Sequence, residues 1–209
     1  MSSEYGLGTQ CLHAGQEPDP TTMARAVPIY RTSSYTFRDT QHAADLFALK
    51  EFGNIYTRLM NPTQDVLEKR IAAMEGGVAA LALASGTSAI FYSVINICQA
   101  GDEIVSANTL YGGTYTMFKD ILPQFGIRVN FVDPRNPENF RAAITDNTKL
   151  VFCETVSNPG LEVSDLDVIA AIAHDNGLPL IVDSTFTTPY LIRPLEHGAD
   201  IVIHSLTKW

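Results

Sequence analysis

The chain has 209 residues, enough for one sizeable core, and its 45% apolar content sits in the globular range, which excludes global disorder. Fourteen basic against 23 acidic residues give a net charge of −9, arguing against a sequence-independent nucleic-acid binder, which needs Lys and Arg to neutralise phosphates. The longest apolar run, the seven residues 78–84, is far short of the about 20 that a membrane span requires.

The N-terminus has neither a basic start nor an apolar block, so no signal peptide is expected. Cys11, Cys98 and Cys153 are odd in number and no C-x-x-C occurs, which points to a reduced, cytoplasmic protein rather than a disulfide or zinc framework. The five histidines show no H-x-x-x-H spacing, so no metal is expected.

Up to residue 60 the pattern is irregular. Pro18, Pro20 and Pro28 interrupt any period, and four of the eight tyrosines lie within residues 1–56. Such a segment buries itself poorly and suits a surface other than its own, where Tyr is favoured. Residues 1–60 therefore read as an N-terminal arm, with one short helix from Thr40 to about Lys50, and residues 61–209 as a large ligand-binding domain.

Asn61-Pro62 supplies a helix cap and a first-turn proline. Val66, Leu67, Ile71 and Met74 follow at helical spacing until Gly76-Gly77. Ala79 to Ala84 reads as a buried strand. Ser85 opens a second helix that turns Ile90, Phe91, Val94, Ile95 and Cys98 to one side. Strands are then expected at Glu103–Ala107, Ile127–Val132, Lys149–Glu154, Leu178–Val182 and Asp200–His204. Helices are expected at Gly112–Leu122, at Glu138–Ile144 and after a cap at Ser164, the last stopping at Asn176-Gly177. Strands alternating with helices imply right-handed crossovers and a mostly parallel sheet, an α/β fold whose ligands sit beyond the carboxyl ends of the strands. Neither G-x-G-x-x-G, nor a P-loop, nor G-x-S-x-G is present, so the usual dinucleotide, nucleotide and hydrolase readings lose their signatures.

Four features fall at strand ends. Ser85-Gly86-Thr87-Ser88 is either an ordinary cap or an anion cup of free helix amides. Tyr111 either packs on the core or stacks on a ring ligand. Asp183 either caps a turn or pairs with a protonated ring nitrogen. Lys208 is either a surface lysine or an amine that partial burial fits for a Schiff base. Taken singly each is ambiguous. Together they describe a phosphate, an aromatic ring, a basic ring nitrogen and an aldehyde, which is pyridoxal 5'-phosphate.

The ordered set Tyr56-Thr57-Arg58, Asn61-Pro62-Thr63, Ser85-Gly86-Thr87, Tyr111-Gly112-Gly113-Thr114, Glu154-Thr155, Asn158-Pro159, Asp183-Ser184-Thr185-Phe186 and Ser205-Leu206-Thr207-Lys208 resembles the pyridoxal-phosphate enzymes of cysteine and methionine metabolism. The resemblance covers residues 8–209 and implies the aspartate-aminotransferase fold, a mostly parallel sheet flanked by helices with an extended N-terminal arm. It implies that Lys208 carries the cofactor, Asp183 holds the ring nitrogen protonated, and Tyr111 stacks on the ring and takes part in proton transfer. By the same resemblance Ser85, Gly86, Thr87, Ser205 and Thr207 bind the phosphate, and Asn158 and Thr185 lie beside the cofactor. Tyr56 and Arg58 reach the phosphate of a neighbouring subunit, which makes the partner a second copy of the chain, in a dimer or a tetramer of dimers. The working enzyme is expected to continue beyond Trp209, with the rest of the sheet, a smaller C-terminal domain and the arginine for the substrate carboxylate.

Residues 39–56 and His204-Ser205-Leu206-Thr207-Lys208-Trp209 most resemble the O-acetylhomoserine sulfhydrylases, whereas methionine γ-lyases usually carry a cysteine where Gly113 stands. The expected reaction is γ-replacement on O-acetyl-L-homoserine by sulfide or a thiol, giving homocysteine or methionine and acetate. A methionine or cystathionine γ-lyase, a cystathionine γ-synthase, and a non-catalytic binding protein on the same scaffold are the alternatives.

Overall fold

The computed structural model describes residues 5–209, which group into two compact units, the first ending at Ala82 and the second spanning Leu83–Trp209.

The first unit carries helices α1 (Leu7–His13), α2 (Thr40–Phe47) and α3 (Pro62–Glu75). Helix α3 starts and stops where the sequence placed it. The Asn61 side chain accepts the Thr63 N–H at 2.9 Å, Pro62 occupies the first turn, and Gly76 ends the helix. Helix α2 is shorter than expected. Ala48 leaves the helical region and Leu49 adopts φ 55°, so the last turn towards Lys50 does not form. The helix α1 was not legible in the sequence. The proline-rich stretch is tied to the start of α3 by side chains: Thr63 donates its hydroxyl to the Pro28 carbonyl at 2.8 Å, and Asn61 donates Nδ2–H to the Tyr30 carbonyl at 2.9 Å. A single antiparallel bridge joins Ser34 to Tyr56.

The apolar run read as a strand at Ala79–Ala84 forms none. Val78 and Leu81 are exposed, and among the described residues no strand offers the run a ladder. The backbone of Ala82 is instead met by α3, where Glu68 accepts its N–H at 2.8 Å.

The second unit is built on a parallel sheet of β1 (Glu103–Ala107), β2 (Arg128–Val132), β3 (Thr148–Glu154), β4 (Leu180–Asp183) and β5 (Ile201–Ile203), ordered β2-β1-β3-β4-β5. All five strands were anticipated within two residues at each end. Helices α4 (Gly86–Ile97), α5 (Gly112–Thr116), α6 (Glu138–Ala143), α7 (Leu166–Asp175) and α8 (Thr188–Leu191) flank it. Burial on both faces explains why β1, β3 and β4 read as nearly unbroken apolar strings. Phe118, Phe140 and Phe152 are fully buried, and Phe118 meets Phe152 edge-on at 4.9 Å.

Two local expectations need correction. The helix foreseen at Gly112–Leu122 keeps regular α geometry to Thr116 and then widens into one π turn, Met117–Ile121, and a tight turn through Phe125. Pro123 has no N–H to offer the preceding turn, so the ladder shifts ahead of it. The cap of α7 is Asp165, whose side chain accepts the Val168 N–H at 3.3 Å. Ser164 is occupied elsewhere, donating its hydroxyl to the Glu154 carbonyl at 2.7 Å. The short helix α8 was not foreseen.

The strand order reverses between β1 and β3, since the chain leaves β1 for β2 on one side and returns to β3 on the other. At such a switch point the loops after the two strands part and leave a crevice at their carboxyl ends.

Candidate active site

A cavity of about 230 Å³ occupies that crevice. It is lined by the start of α4 (Ser85, Gly86, Thr87), by Tyr111 after β1, by Glu154 and Asn158 at the end of β3, by Asp183 and Thr185 at the end of β4, and by Ser205, Thr207 and Lys208 after β5. Every strand-end residue singled out in the second unit is thus brought into one space. Tyr56 and Arg58 belong to the first unit and are not among the lining residues; the Arg58 guanidinium lies 5.7 Å from the Tyr56 ring.

Part of the cavity is an anion cup. The Ser85 hydroxyl accepts the Ser88 N–H at 3.0 Å, which leaves the first-turn amides of Gly86 and Thr87 without partners inside the helix and the positive end of the α4 dipole behind them. The hydroxyls of Ser205 and Thr207 face the same space. Gly86 is required here by close approach. A Cβ on it would come within 2.7 Å of the Ser205 Cβ, closing the cup.

Asp183 and Glu154 bring two carboxylates to the same cavity. Asp183 closes β4, and its Oδ1 accepts from the Thr185 hydroxyl at 2.6 Å and the Thr185 N–H at 2.9 Å. Burial raises the Asp183 carboxyl above its usual range, while the two Thr185 bonds and the nearby His204 pull it back. Thr185 does more than lie beside the site: its hydroxyl oxygen accepts the Ser205 N–H at 2.9 Å, joining Asp183 to the cup.

Tyr111 also lines the cavity, and its backbone N–H donates to Glu154 Oε1 at 2.7 Å. Its ring leans over Gly113, where a Cβ would meet the ring's Cε1 at 2.6 Å. Lys208 sits in the short turn Leu206–Lys208. The expectation of partial burial is not met: the lysine lines the cavity but is exposed, because its turn forms the rim and no described element packs over it. Glu154, though part of a quoted motif, was given no role from sequence. A carboxylate ending an apolar strand was the available signal, the same one that drew attention to Asp183.

A helix start with free amides, a planar aromatic, a buried carboxylate and a primary amine at the rim line one cavity and suit pyridoxal 5'-phosphate. The glycine-lined helix start with two hydroxyls could hold a phosphate, and Asp183 could face a ring nitrogen.

Comparison with known proteins agrees. The description "Cys/Met metabolism PLP-dependent enzyme" matches residues 8–209. An O-acetyl-L-homoserine sulfhydrylase of Leptospira meyeri is 59% identical over 209 residues, covering 100% of this chain and 47% of the relative. Among solved structures, an O-acetylhomoserine (thiol)-lyase of Campylobacter jejuni superposes with a TM-score of 0.94 at 39% identity, over 97% of this chain and 49% of that one, and it carries an N'-pyridoxyl-lysine-5'-monophosphate. A cystathionine γ-lyase of Lactobacillus plantarum complexed with L-serine gives a TM-score of 0.87 at 38% identity, over 96% of this chain and 50% of that one. The chain spans about half the length of the relatives it matches. With a family match over nearly every residue and a cavity whose groups suit the cofactor, the chain belongs to the Cys/Met metabolism PLP-dependent enzymes.

Proposed function

We propose that the whole protein catalyses γ-replacement on O-acetyl-L-homoserine, exchanging acetate for sulfide or a thiol to give L-homocysteine or methionine, in methionine biosynthesis in the cytoplasm. The observation that carries the reading is the meeting of Lys208, Asp183, Tyr111 and the anion cup in one cavity of a chain 59% identical to an O-acetyl-L-homoserine sulfhydrylase.

Pyridoxal 5'-phosphate, when bound, supplies an aldehyde for amines and a ring that accepts the electrons released at Cα. The Gly86 and Thr87 amides and the Ser205 and Thr207 hydroxyls would hold its phosphate. Asp183 would face the ring nitrogen and keep a proton there, Tyr111 would stack on the ring, and Asn158 and Thr185 would flank it. Lys208 would hold the cofactor through its amine. As a free amine it would take the substrate's Cα proton and then one from Cβ, so that acetate leaves Cγ and sulfide forms the new Cγ–S bond. Lys208 and Tyr111 return the protons in reverse order. Acetate is a stable anion and leaves without a strong acid beside it.

Tyr56 and Arg58 in residues 1–60 serve the phosphate of a second copy, which makes the active assembly a homodimer or a tetramer of dimers, with residues 61–209 as the large domain. Among the described residues no carboxylate pairs with Arg58, whose guanidinium lies 5.7 Å from the Tyr56 ring, and this supports the reading.

Full-length protein given O-acetyl-L-homoserine with and without sulfide tests the reading. Homocysteine should dominate when sulfide is present. Cleavage of L-methionine to methanethiol at a comparable rate would replace it with the γ-lyase reading.

A further inference from the structure

Glu154 is the one carboxylate in the cavity to which the chemistry above gives no task. It is 6% exposed and closes β3, as Asp183 closes β4. The two are register partners on neighbouring parallel strands, so their backbones lie about 5 Å apart and their side chains point to the same face, into the same cavity. In this buried cleft the charge of Asp183 raises the Glu154 carboxyl.

We propose that Glu154 is a positioning residue: as a neutral carboxylic acid it holds the loop that carries Tyr111, and it leaves the negative charge of this part of the site to Asp183.

The two groups are treated differently by their surroundings. Asp183 receives two hydrogen bonds from Thr185 and has His204 nearby, all of which favour its anion. Glu154 Oε1 accepts the Tyr111 backbone N–H at 2.7 Å, which fixes where that loop leaves β1; this N–H and the nearby Asn158 backbone also favour its anion, but burial outweighs them. Burial is the largest influence on Glu154 and pushes it up to about 7, with the charge of Asp183 adding to the rise. The other titratable groups around it are the Tyr111 hydroxyl after β1, Lys208 and His204 after β5, and the preceding Cys153, whose thiol burial pushes up to about 12. A neutral Glu154 can accept the Tyr111 amide on its carbonyl oxygen while its hydroxyl proton removes the repulsion towards Asp183.

The inference rests on the cofactor reading and not on the identity of the substrate, so its test uses full-length holoenzyme without substrate. Infrared spectra of the wild type between pH 5 and 9 should show a protonated carboxyl stretch that fades through about 7 and is missing from Glu154→Gln. The visible absorbance of the bound cofactor should shift over the same interval in the wild type and stay constant in Glu154→Gln. That variant keeps the carbonyl acceptor and should retain cofactor and turnover at pH 6 within about threefold, whereas Glu154→Ala, which releases the Tyr111 loop, should lose at least tenfold in cofactor affinity. A wild type without the carboxyl band, or a Glu154→Gln enzyme with an unchanged absorbance titration, overturns the proposal. If Glu154→Gln fails to fold, the wild-type band alone decides. A wild type that binds no cofactor would instead overturn the functional reading above.

Discussion

The two units of the chain are held together by different forces. In the second, a parallel sheet is buried on both faces and its aromatic side chains meet in the dry interior. In the first, Leu46, Ile55 and Ala72 are the buried apolar residues among those described, while Ile29, Leu49 and Phe52 stand in solvent. Order there comes from side chains meeting backbone, as Thr63 and Asn61 do for Pro28 and Tyr30. A core is worth the apolar area it removes from water, whereas a hydrogen bond exchanged with water nets about 1 kcal/mol. One region can therefore specify itself. The other has its path set by polar contacts and keeps its apolar surface available, which suits a segment proposed to serve a second copy.

The contrast can be broken at several points. The largest effect is expected at the rim lysine of the self-sufficient unit. Lys208→Ala in the full-length enzyme should lower turnover at least about a thousandfold, and borohydride reduction followed by peptide mapping should no longer label the 206–209 peptide. Label on Lys119 or Lys149 in the wild type would contradict the assignment. Arg58→Ala tests the arm. Alone it should weaken cofactor binding. Mixed with Lys208→Ala subunits it should regain activity, because the hybrid assembles one site holding both the lysine and a partner's arginine; no recovery on mixing means that Arg58 serves its own subunit.

Stability should divide in the same way. Phe152→Ala removes a fully buried ring packed on Phe118 and should cost about 3–5 kcal/mol by denaturant unfolding. Phe52→Ala removes a ring that is 93% exposed and should change stability by less than about 0.5 kcal/mol. Equal costs would erase the distinction drawn here. Gly113→Ala should have a smaller effect on turnover, about tenfold, by driving a methyl to within 2.6 Å of the Tyr111 ring and displacing it. Circular dichroism of the bound cofactor should report the movement.

The last expected effect is a dependence on pH. Burial raises Glu154 from its ordinary range to about 7, so between those values the folded chain holds a proton that the unfolded chain has lost. That contribution is fully present below the unfolded value and fades as pH rises through about 7. Glu154→Gln should thus gain stability relative to the wild type on going from pH 5 to pH 8, and an unfolding series at the two values would show it.

Much of the second unit was legible because its determinants are local. Period, caps and turn residues placed β1 to β5, α4 and α7, and the strand-end rule led directly to Asp183, Tyr111 and Lys208. What was missed depends on partners distant in sequence. The run at Ala79–Ala84 has a strand's composition, yet a strand exists only where another backbone pairs with it, and no apolar pattern records that. Ser164 has the right identity for a cap, but the Glu154 carbonyl claims its hydroxyl from ten residues away. The role of Glu154 follows from the register of β3 against β4, which sets it beside Asp183 and is invisible in a string of letters. Lys208 was recognised by motif, while its exposure depends on what packs above the rim.

Thr185 gives the site a direction. The Ser205 amide can only donate, so the Thr185 oxygen must receive it, and the single hydroxyl hydrogen is then committed to Asp183 Oδ1. That oxygen also takes the Thr185 amide, so its lone pairs are spent. The polarity of the chain is fixed from its backbone end and cannot reverse. Whatever proton Asp183 shares with a ligand must therefore pass through Oδ2, and the donor that meets it has one place to stand.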